Sequence, residues 1–201
     1  GLKLPPKVAP TQVIVIPIGP AGKREEVVMR ARELVDQLKQ AGVRVRLDER
    51  TDVSPGWKFN EYEMRGVPLR IELGPRDLEN NQAVFASRVS AEKKTVSLDG
   101  IANEVLAELN RIQAEMFVQA KQFMDSHFYS VETLDEMKQL MEKERGFVLA
   151  GWCGSEACEH QVKEETGATS RNIPFEVKEH KSRCLVCEDA AKHTVVFARA
   201  Y

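Results

Sequence analysis

The chain contains 201 residues, of which 42% are hydrophobic, and it carries a formal net charge of −2. A chain of this length can bury one large core and a second, smaller one, so two domains are expected. The low net charge argues against a broadly basic surface for nucleic acid. Any contact with RNA should therefore be local and base-reading.

The first ten residues, GLKLPPKVAP, predict an extended linker, because proline disfavours helix at its own position and at the one before it. The chain opens on Gly1 rather than on Met, which indicates a piece of a longer protein. Residues 1–10 show no signal-peptide pattern, and no apolar run approaches the roughly 20 residues that cross a bilayer. We expect a soluble cytoplasmic protein with no membrane partner.

A βαβ unit follows the linker. Residues 12–19, QVIVIPIG, form a nearly continuous apolar run, which is typical of a central strand covered on both faces. From Lys23 the apolar residues recur at helical spacing, and Gly42 ends the helix. Residues 43–48 alternate apolar and charged side chains, which predicts a second strand parallel to the first.

Three more strands and two more helices complete the predicted first domain, residues 11–128. Helical spacing of apolar and aromatic residues marks the helices, and alternation of apolar with polar residues marks the strands. The predicted fold class is α/β, a mixed five-stranded sheet with flanking helices. The helices are 55–66 and 101–127, and the strands are 69–73, 83–90 and 93–98.

Charged and aromatic residues concentrate around the strand at 69–73. Arg70 lies on its polar face, and the strand ends at a Gly-Pro pair that is followed by Arg76 and Asp77. The carboxyl end of a strand in an α/β sheet is where ligands usually bind. Phe59 and Glu63 lie one helical turn apart in the preceding helix and so share a face.

These residue types match the edges of a guanine base. Arginine donates to the acceptors O6 and N7, and a carboxylate accepts from N1 and N2, while an aromatic ring can stack on the base. The segment therefore predicts a surface that binds single-stranded nucleic acid. The structural alternative is that Arg70 pairs with Glu72 and that the aromatic side chains belong to the core. Lys93 and Lys94, at the tip of the predicted hairpin, could meet phosphates or be ordinary solvated lysines.

The predicted second domain, residues 129–201, is a small α/β module. Residues 130–145 have the pattern of an N-capped amphipathic helix. Residues 147–152 form a short apolar strand that runs directly into a cysteine. A short helix, an extended passage at 171–176 and a last strand at 194–198 follow.

Two close cysteine pairs occur in this module, with the spacings C-x4-C and C-x2-C. Four thiolates supply the tetrahedral set that Zn²⁺ prefers and leave no open position for a catalytic water, which predicts a structural zinc site. Disulfides or reduced structural cysteines are the alternatives, although a cytosolic chain is not expected to oxidise its thiols. His160 and His180 are substitute ligands that rank below any cysteine. The cysteines are Cys153, Cys158, Cys184 and Cys187.

Several motifs together resemble the carboxyl-terminal half of prolyl-tRNA synthetases, in the archaeal/eukaryotic-like branch of that family. They are the opening LKLPPKVAP, the strand QVIVIPIG, the long run LDERTDVSPGWKFNEYEMRGVPLRIELGPRDLENNQAV, the four-cysteine region and the closing FARAY. The resemblance covers essentially the whole chain. It implies an anticodon-binding domain followed by a zinc-binding carboxyl-terminal domain.

The resemblance also implies site residues and partners. By family motif, Glu63, Arg70, Arg76 and Asp77 correspond to residues that read the guanines of the proline anticodon, and Phe59 stacks nearby. The partners would be the anticodon loop of proline tRNA and the enzyme's own catalytic domain, in a homodimeric full-length enzyme. That domain, which would bind ATP and Mg²⁺ and join proline to its tRNA, is not expected within these 201 residues, so no catalytic residue is assigned.

Two other classes remain open at this point. A threonyl, glycyl or histidyl synthetase shares the anticodon-binding fold, but the four cysteines and the final tyrosine speak against it. A zinc-containing protein-interaction module without an RNA role is the second alternative. In similar synthetases the carboxyl end is directed toward the catalytic domain, so Tyr201 is expected to be ordered.

Overall fold

The computed structural model describes residues 1–144, 146–177 and 180–200. Tyr201, which we expected to be ordered, lies outside the described residues. Within the described part of the chain, the helices are too short or too polar to cross a membrane.

The chain divides into two compact units, Gly1–Val118 and Gln119–Tyr201. The domain organisation predicted from the sequence, with a linker at 1–10 and domains at 11–128 and 129–201, stays a prediction. Each unit has a sheet and a hydrophobic core of its own.

The first unit contains a five-stranded mixed sheet with the strand order β2-β1-β3-β4-β5. The strands β2, β1 and β3 are parallel, and β3, β4 and β5 are antiparallel. This confirms the predicted mixed sheet with flanking helices. The elements are β1 (Val13–Pro17), α1 (Ala21–Gln40), β2 (Val45–Leu47), α2 (Pro55–Met64), β3 (Leu69–Leu73), α3 (Pro75–Glu79), β4 (Gln82–Ser87), β5 (Lys93–Ser97) and α4 (Ile101–Ser126).

The two faces of β1 pack against different helices. Val13 and Val15 belong to the main core with residues of α1 and α4, whereas Ile14 and Ile16 pack with Phe59 of α2. Because both faces are covered, every residue of β1 is buried, which explains its unbroken apolar run. As expected from that run, β1 has a strand on each side.

The second unit contains a four-stranded sheet with the order β6-β7-β9-β8, in which only β6 and β7 are parallel. Its core includes Met137, Val148 and Phe197, all fully buried. This agrees with the small α/β module expected from the sequence. The elements are β6 (Phe128–Ser130), α5 (Leu134–Lys143), β7 (Phe147–Trp152), α6 (Glu156–Thr166), β8 (Ala168–Asn172) and β9 (His193–Arg199).

The prediction of a helix starting at Ser130 is wrong. Ser130 is the last residue of β6, which pairs with β7, so the backbone there is extended. The helix α5 starts at Leu134, after Thr133, whose hydroxyl accepts from the Glu136 N–H at 3.2 Å. The Glu136 carboxylate in turn accepts from the Thr133 N–H at 3.3 Å, which completes a capping box.

Candidate nucleic-acid interface and metal centre

A buried lysine fixes the helix α2, which carries the aromatic candidates. Lys58 is only 2% exposed, although lysine is almost never fully buried without partners. Its ammonium donates to the main-chain carbonyls of Asp48 at 2.9 Å and of Arg50 at 2.7 Å, and it lies 3.2 Å from the Asp48 carboxylate. The helix is therefore tied to the loop after β2 at the position next to Phe59.

The Asp48 carboxylate is the centre of this network. Burial alone would raise its pKa, but hydrogen bonds from the side chain and the main chain of Arg50 and from Lys58 outweigh burial and lower the pKa to about 2. Arg50 also contacts Glu61 of α2. Asp48 is thus ionised at neutral pH, and together with Arg50 it links the loop after β2 to Lys58 and Glu61 of the helix.

Arg70 lies at the centre of the candidate interface. Its guanidinium carbon is 4.0 Å from the centroid of the Phe59 ring, which is a cation–π contact. Its Nη1 is 2.9 Å from Glu63, and its Nε is 3.1 Å from Glu72. The structure thus brings Phe59, Glu63 and Arg70 together, and it also contains the Arg70–Glu72 pair of the structural alternative.

Lys93 of β5 joins this cluster, and Lys94 does not. The Lys93 ammonium is 2.8 Å from Glu72 and 5.5 Å from the centroid of the Phe59 ring. Lys94 pairs with Glu104 of α4, on the other face of the sheet. Successive residues of a strand point to opposite faces of the sheet, so the side chains of Lys93 and Lys94 lie on different faces although the residues are adjacent in sequence.

A cleft of about 360 Å³ opens beside this cluster. The volume lies at the lower end of the range of small-ligand sites. Glu63, Arg70 and Lys93 line it, together with Lys3, Arg88 and Glu92. The lining therefore has four basic and two acidic side chains, in a chain whose overall net charge is negative.

Arg76 and Asp77 lie on α3, beyond the carboxyl end of β3, and do not line the cleft. Arg76 is exposed, and an Asp77 carboxylate oxygen accepts from the Gly74 N–H at 2.8 Å. The Asp77 carboxylate thus caps α3, because it satisfies an N–H at the start of the helix. Its predicted contact with a base stays a prediction.

The four cysteines come together in the second unit. Their sulfur atoms all lie within 4.8 Å of one another, and the Cys153 and Cys158 sulfurs are 3.6 Å apart. A disulfide has sulfurs about 2.05 Å apart, and all four thiols are free. Four sulfurs about 2.3 Å from a central ion are separated by about 3.8 Å, so this group could hold a metal ion. His160 instead faces Glu164, at 3.5 Å.

The backbone around Cys184 favours its thiolate. Burial would raise the pKa of Cys184, but hydrogen bonds from main-chain N–H groups, including those of Cys187 and Val186, lower it to about 7. Cys158 lacks that main-chain support, and its pKa rises to about 12, mainly through burial. Main-chain donors aimed at one sulfur are suited to a negatively charged ligand.

Gly151 lets the loop that carries Cys184 approach β7. A Cβ atom at this position would lie 2.0 Å from the Arg183 carbonyl oxygen. The Gly151 carbonyl accepts from the Leu185 N–H at 3.0 Å, so the two segments are also joined by a hydrogen bond. Any side chain at Gly151 would push the Cys184 loop away from Cys153.

Comparison with known proteins places both units in families. The family model described as "Anticodon binding domain" matches residues 12–108, and the one described as "Prolyl-tRNA synthetase, C-terminal" matches residues 134–201. The first unit, with its mixed sheet and its Arg70 cleft, thus falls in the class of anticodon-binding domains. The chain as a whole belongs to the prolyl-tRNA synthetase family. The sister synthetases that the sequence left open are excluded by the match at 134–201.

Curated relatives agree with this assignment. The chain is 53% identical to the proline–tRNA ligase of Symbiobacterium thermophilum over 208 aligned positions, which cover all of the chain and 42% of that protein. It is 51% identical to the proline–tRNA ligase of Alkaliphilus oremlandii and 46% identical to that of Acetoanaerobium sticklandii, covering all of the chain and 41% of each. The chain spans about two fifths of the length of these relatives.

Proposed function

We propose that this chain recognises the anticodon loop of proline tRNA within a proline–tRNA ligase. The observation that carries the proposal is Arg70, held on the Phe59 ring between Glu63 and Glu72 at the wall of the cleft. In the proposal, a catalytic domain of the same enzyme binds ATP and Mg²⁺ and joins proline to the tRNA. The proposed enzyme is a cytoplasmic homodimer, in keeping with a role in protein synthesis.

The chemistry of the cluster suits guanine. Arg70 can donate to O6 and N7 of one base, and Glu63 can accept from N1 and N2. The Glu63 side chain is 41% exposed and can therefore turn from Arg70 to a ligand, whereas Arg70 is 12% exposed and held in place. A donor held before the ligand arrives loses little conformational entropy when it binds.

Arg76 and Asp77 supply a second pair of the same chemical types. They lie on α3, beyond the carboxyl end of β3, whereas Arg70 is the second residue of that strand. Because strand residues rise about 3.3 Å each, the part of β3 that follows Arg70 separates the two pairs. The proposal assigns Arg70 and Glu63 to one anticodon guanine, and Arg76 and Asp77 to another. Phe59 would support the first of these contacts.

We infer that the metal held by the four cysteines is structural Zn²⁺. A site with four sulfur ligands binds Zn²⁺ in preference to the hard cations Mg²⁺ and Ca²⁺, which prefer oxygen ligands. The set Cys153, Cys158, Cys184 and Cys187 fills all four positions and leaves none for water or substrate. The role of the zinc is therefore to hold the segments that carry the cysteines together.

Replacement of Arg70 tests the proposal. We expect Arg70→Gln to reduce discrimination between proline tRNA and the same tRNA with one anticodon guanine replaced by about 1–3 kcal/mol, or about 5- to 150-fold. The measurement is a dissociation constant for each tRNA. Arg32→Gln, which removes an exposed arginine of α1 paired with Glu49, is the matched control and should leave discrimination unchanged. Equal discrimination by Arg70→Gln and wild type would contradict the proposal.

Asp77→Asn separates the cap from the base contact. An amide oxygen can still accept from the Gly74 N–H, so the melting temperature should change little. A carboxylate that accepts from N1 and N2 would lose charge-assisted bonds and gain a mismatched donor, so discrimination at one guanine should fall by about 1–3 kcal/mol. If melting temperature and discrimination both stay at wild-type values, Asp77 is a cap alone.

A further inference from the structure

Two cations of the cleft, Arg88 and Lys3, have no carboxylate partner among the described residues. The other two, Arg70 and Lys93, are held by Glu63 and Glu72. The positive charges of Arg70 and Lys93 are thus neutralised by carboxylates, whereas those of Arg88 and Lys3 are not.

Arg88 continues the face of the sheet that carries Arg70. Ala86 pairs with Arg70 in the ladder between β4 and β3, and the Arg88 N–H donates to the Pro68 carbonyl at 3.0 Å. Because side chains alternate along a strand, Arg88 lies on the same face as Ala86 and Arg70. Arg88 therefore lies beside the cluster formed by Phe59, Glu63 and Arg70, toward the amino end of β3.

The guanidinium of Arg88 is incompletely satisfied. Its Nη2 makes a long hydrogen bond, 3.3 Å, to the Leu2 carbonyl, and its buried Nε has no hydrogen-bond partner, the single such buried side-chain atom in the described part of the chain. A buried donor without a partner has lost its hydrogen bonds to water without replacement, which destabilises the structure. The terminal nitrogens of the guanidinium, with the one long bond to Leu2, retain donors that an anionic acceptor in the cleft can reach.

Lys3 is held at the cleft from both sides. The Leu2 carbonyl before it accepts from Arg88, and the Leu4 N–H after it donates to the Gly66 carbonyl at 3.1 Å. Gly66 has a φ of +73°, and a Cβ there would lie 2.8 Å from Leu2, so the opening segment packs closely on the turn after α2. This packing places the Lys3 side chain in the cleft lining.

We propose that Arg88 and Lys3 bind a backbone phosphate of the RNA whose base is read by Arg70. The inference rests on the proposed function and adds a residue pair to it. Cations already paired with carboxylates suit a base edge, which offers both donors and acceptors. Cations without a partner suit a phosphate, which offers only acceptors and negative charge. The opening segment thereby forms part of the RNA site.

The salt dependence of binding distinguishes a phosphate contact from a base contact. We expect Arg88→Gln and Lys3→Gln each to lower the slope of log affinity against log salt, and the double variant to lower it by about 0.7 to 0.9, the value for one phosphate. For the double variant at about 0.1 M salt this corresponds to a loss of affinity of about fivefold, which should vanish near about 1 M salt. The loss should be equal for proline tRNA and for the tRNA with a replaced anticodon guanine.

Matched variants control for charge and for structure. Lys39→Gln removes an exposed lysine of α1 and should leave the slope unchanged. Arg88→Lys keeps the charge and should keep most of the slope even if the Leu2 contact is lost. The melting temperature of each variant identifies an effect on folding. The Lys3 side chain makes no hydrogen bond to the described residues, so Lys3→Gln should leave the melting temperature unchanged.

The outcomes separate the inference from the proposed function. If Arg88→Gln and Lys3→Gln bind with the wild-type slope while Arg70→Gln loses discrimination, the phosphate site is overturned and the proposed function stands. If the two variants change discrimination rather than slope, they read a base and the inference is again overturned. If the wild-type chain fails to distinguish the two tRNAs, both fail.

Discussion

Removal of the metal is expected to unfold the region from Phe147 onward while the first unit keeps its melting temperature. Structural zinc contributes about 10–16 kcal/mol of apparent binding free energy in small zinc domains. A typical domain has a stability of only about 5–15 kcal/mol. Loss of the ion should therefore outweigh the small core around Val148 and Phe197.

Calorimetry and metal analysis would check this expectation. Freshly purified protein should contain one zinc per chain, and a chelator should abolish the transition of the second unit and leave the other in place. Cys184→Ser should act in the same way without chelator. His160→Ala, which alters an exposed side chain paired with Glu164, should retain its zinc. Protein without zinc that still shows both transitions would refute the metal site.

Features marked by a regular pattern of apolar and polar residues, or by a characteristic spacing of cysteines, could be predicted from the sequence. The run at 12–19 predicted an internal strand because a strand covered on both faces needs no polar side. The alternation around Arg70 placed that residue on the polar face of β3, and the face is the one that α2 covers. The cysteine spacings predicted a cluster because close thiol pairs are characteristic of zinc ligands.

Contacts between distant segments could not be predicted in the same way. The burial of Lys58 could not be predicted, because two of its partners are main-chain carbonyls, which no sequence pattern marks. Arg88 lies at the cleft only because β4 pairs with β3 in one particular register. The start of α5 was misplaced because residues 128–130 are extended through pairing with β7, which competes with helix formation.

The buried lysine gives the second large expected effect. Lys58→Met should destabilise the first unit by about 3 kcal/mol, because it removes one partner of a buried ion pair and leaves Asp48 less compensated. For a unit of this size the loss corresponds to a fall in melting temperature of about 10 °C. Lys39→Met, at an exposed position of α1, should leave the melting temperature nearly unchanged.

The loss of stability in Lys58→Met should also depend on pH. The pKa of Asp48 is lowered to about 2, below its value in the unfolded chain, so its ionisation stabilises the fold at neutral pH, and this contribution disappears as the pH falls toward 2. Without Lys58 the pKa should rise, and the difference in stability between wild type and variant should be greatest near pH 7 and smaller near pH 3. Denaturant unfolding at both pH values measures it.

The same substitution should weaken RNA recognition through the position of α2. Phe59 follows Lys58 directly and Glu63 lies on the same helix, so loosening the attachment of α2 to the loop at 48–50 displaces both from Arg70. Adding Asp48→Asn to Lys58→Met should recover part of the stability, because the uncompensated charge is then gone, but it should not restore the helix position or tRNA discrimination. A Lys58→Met variant with wild-type discrimination would show that the buried lysine stabilises the fold without positioning the site.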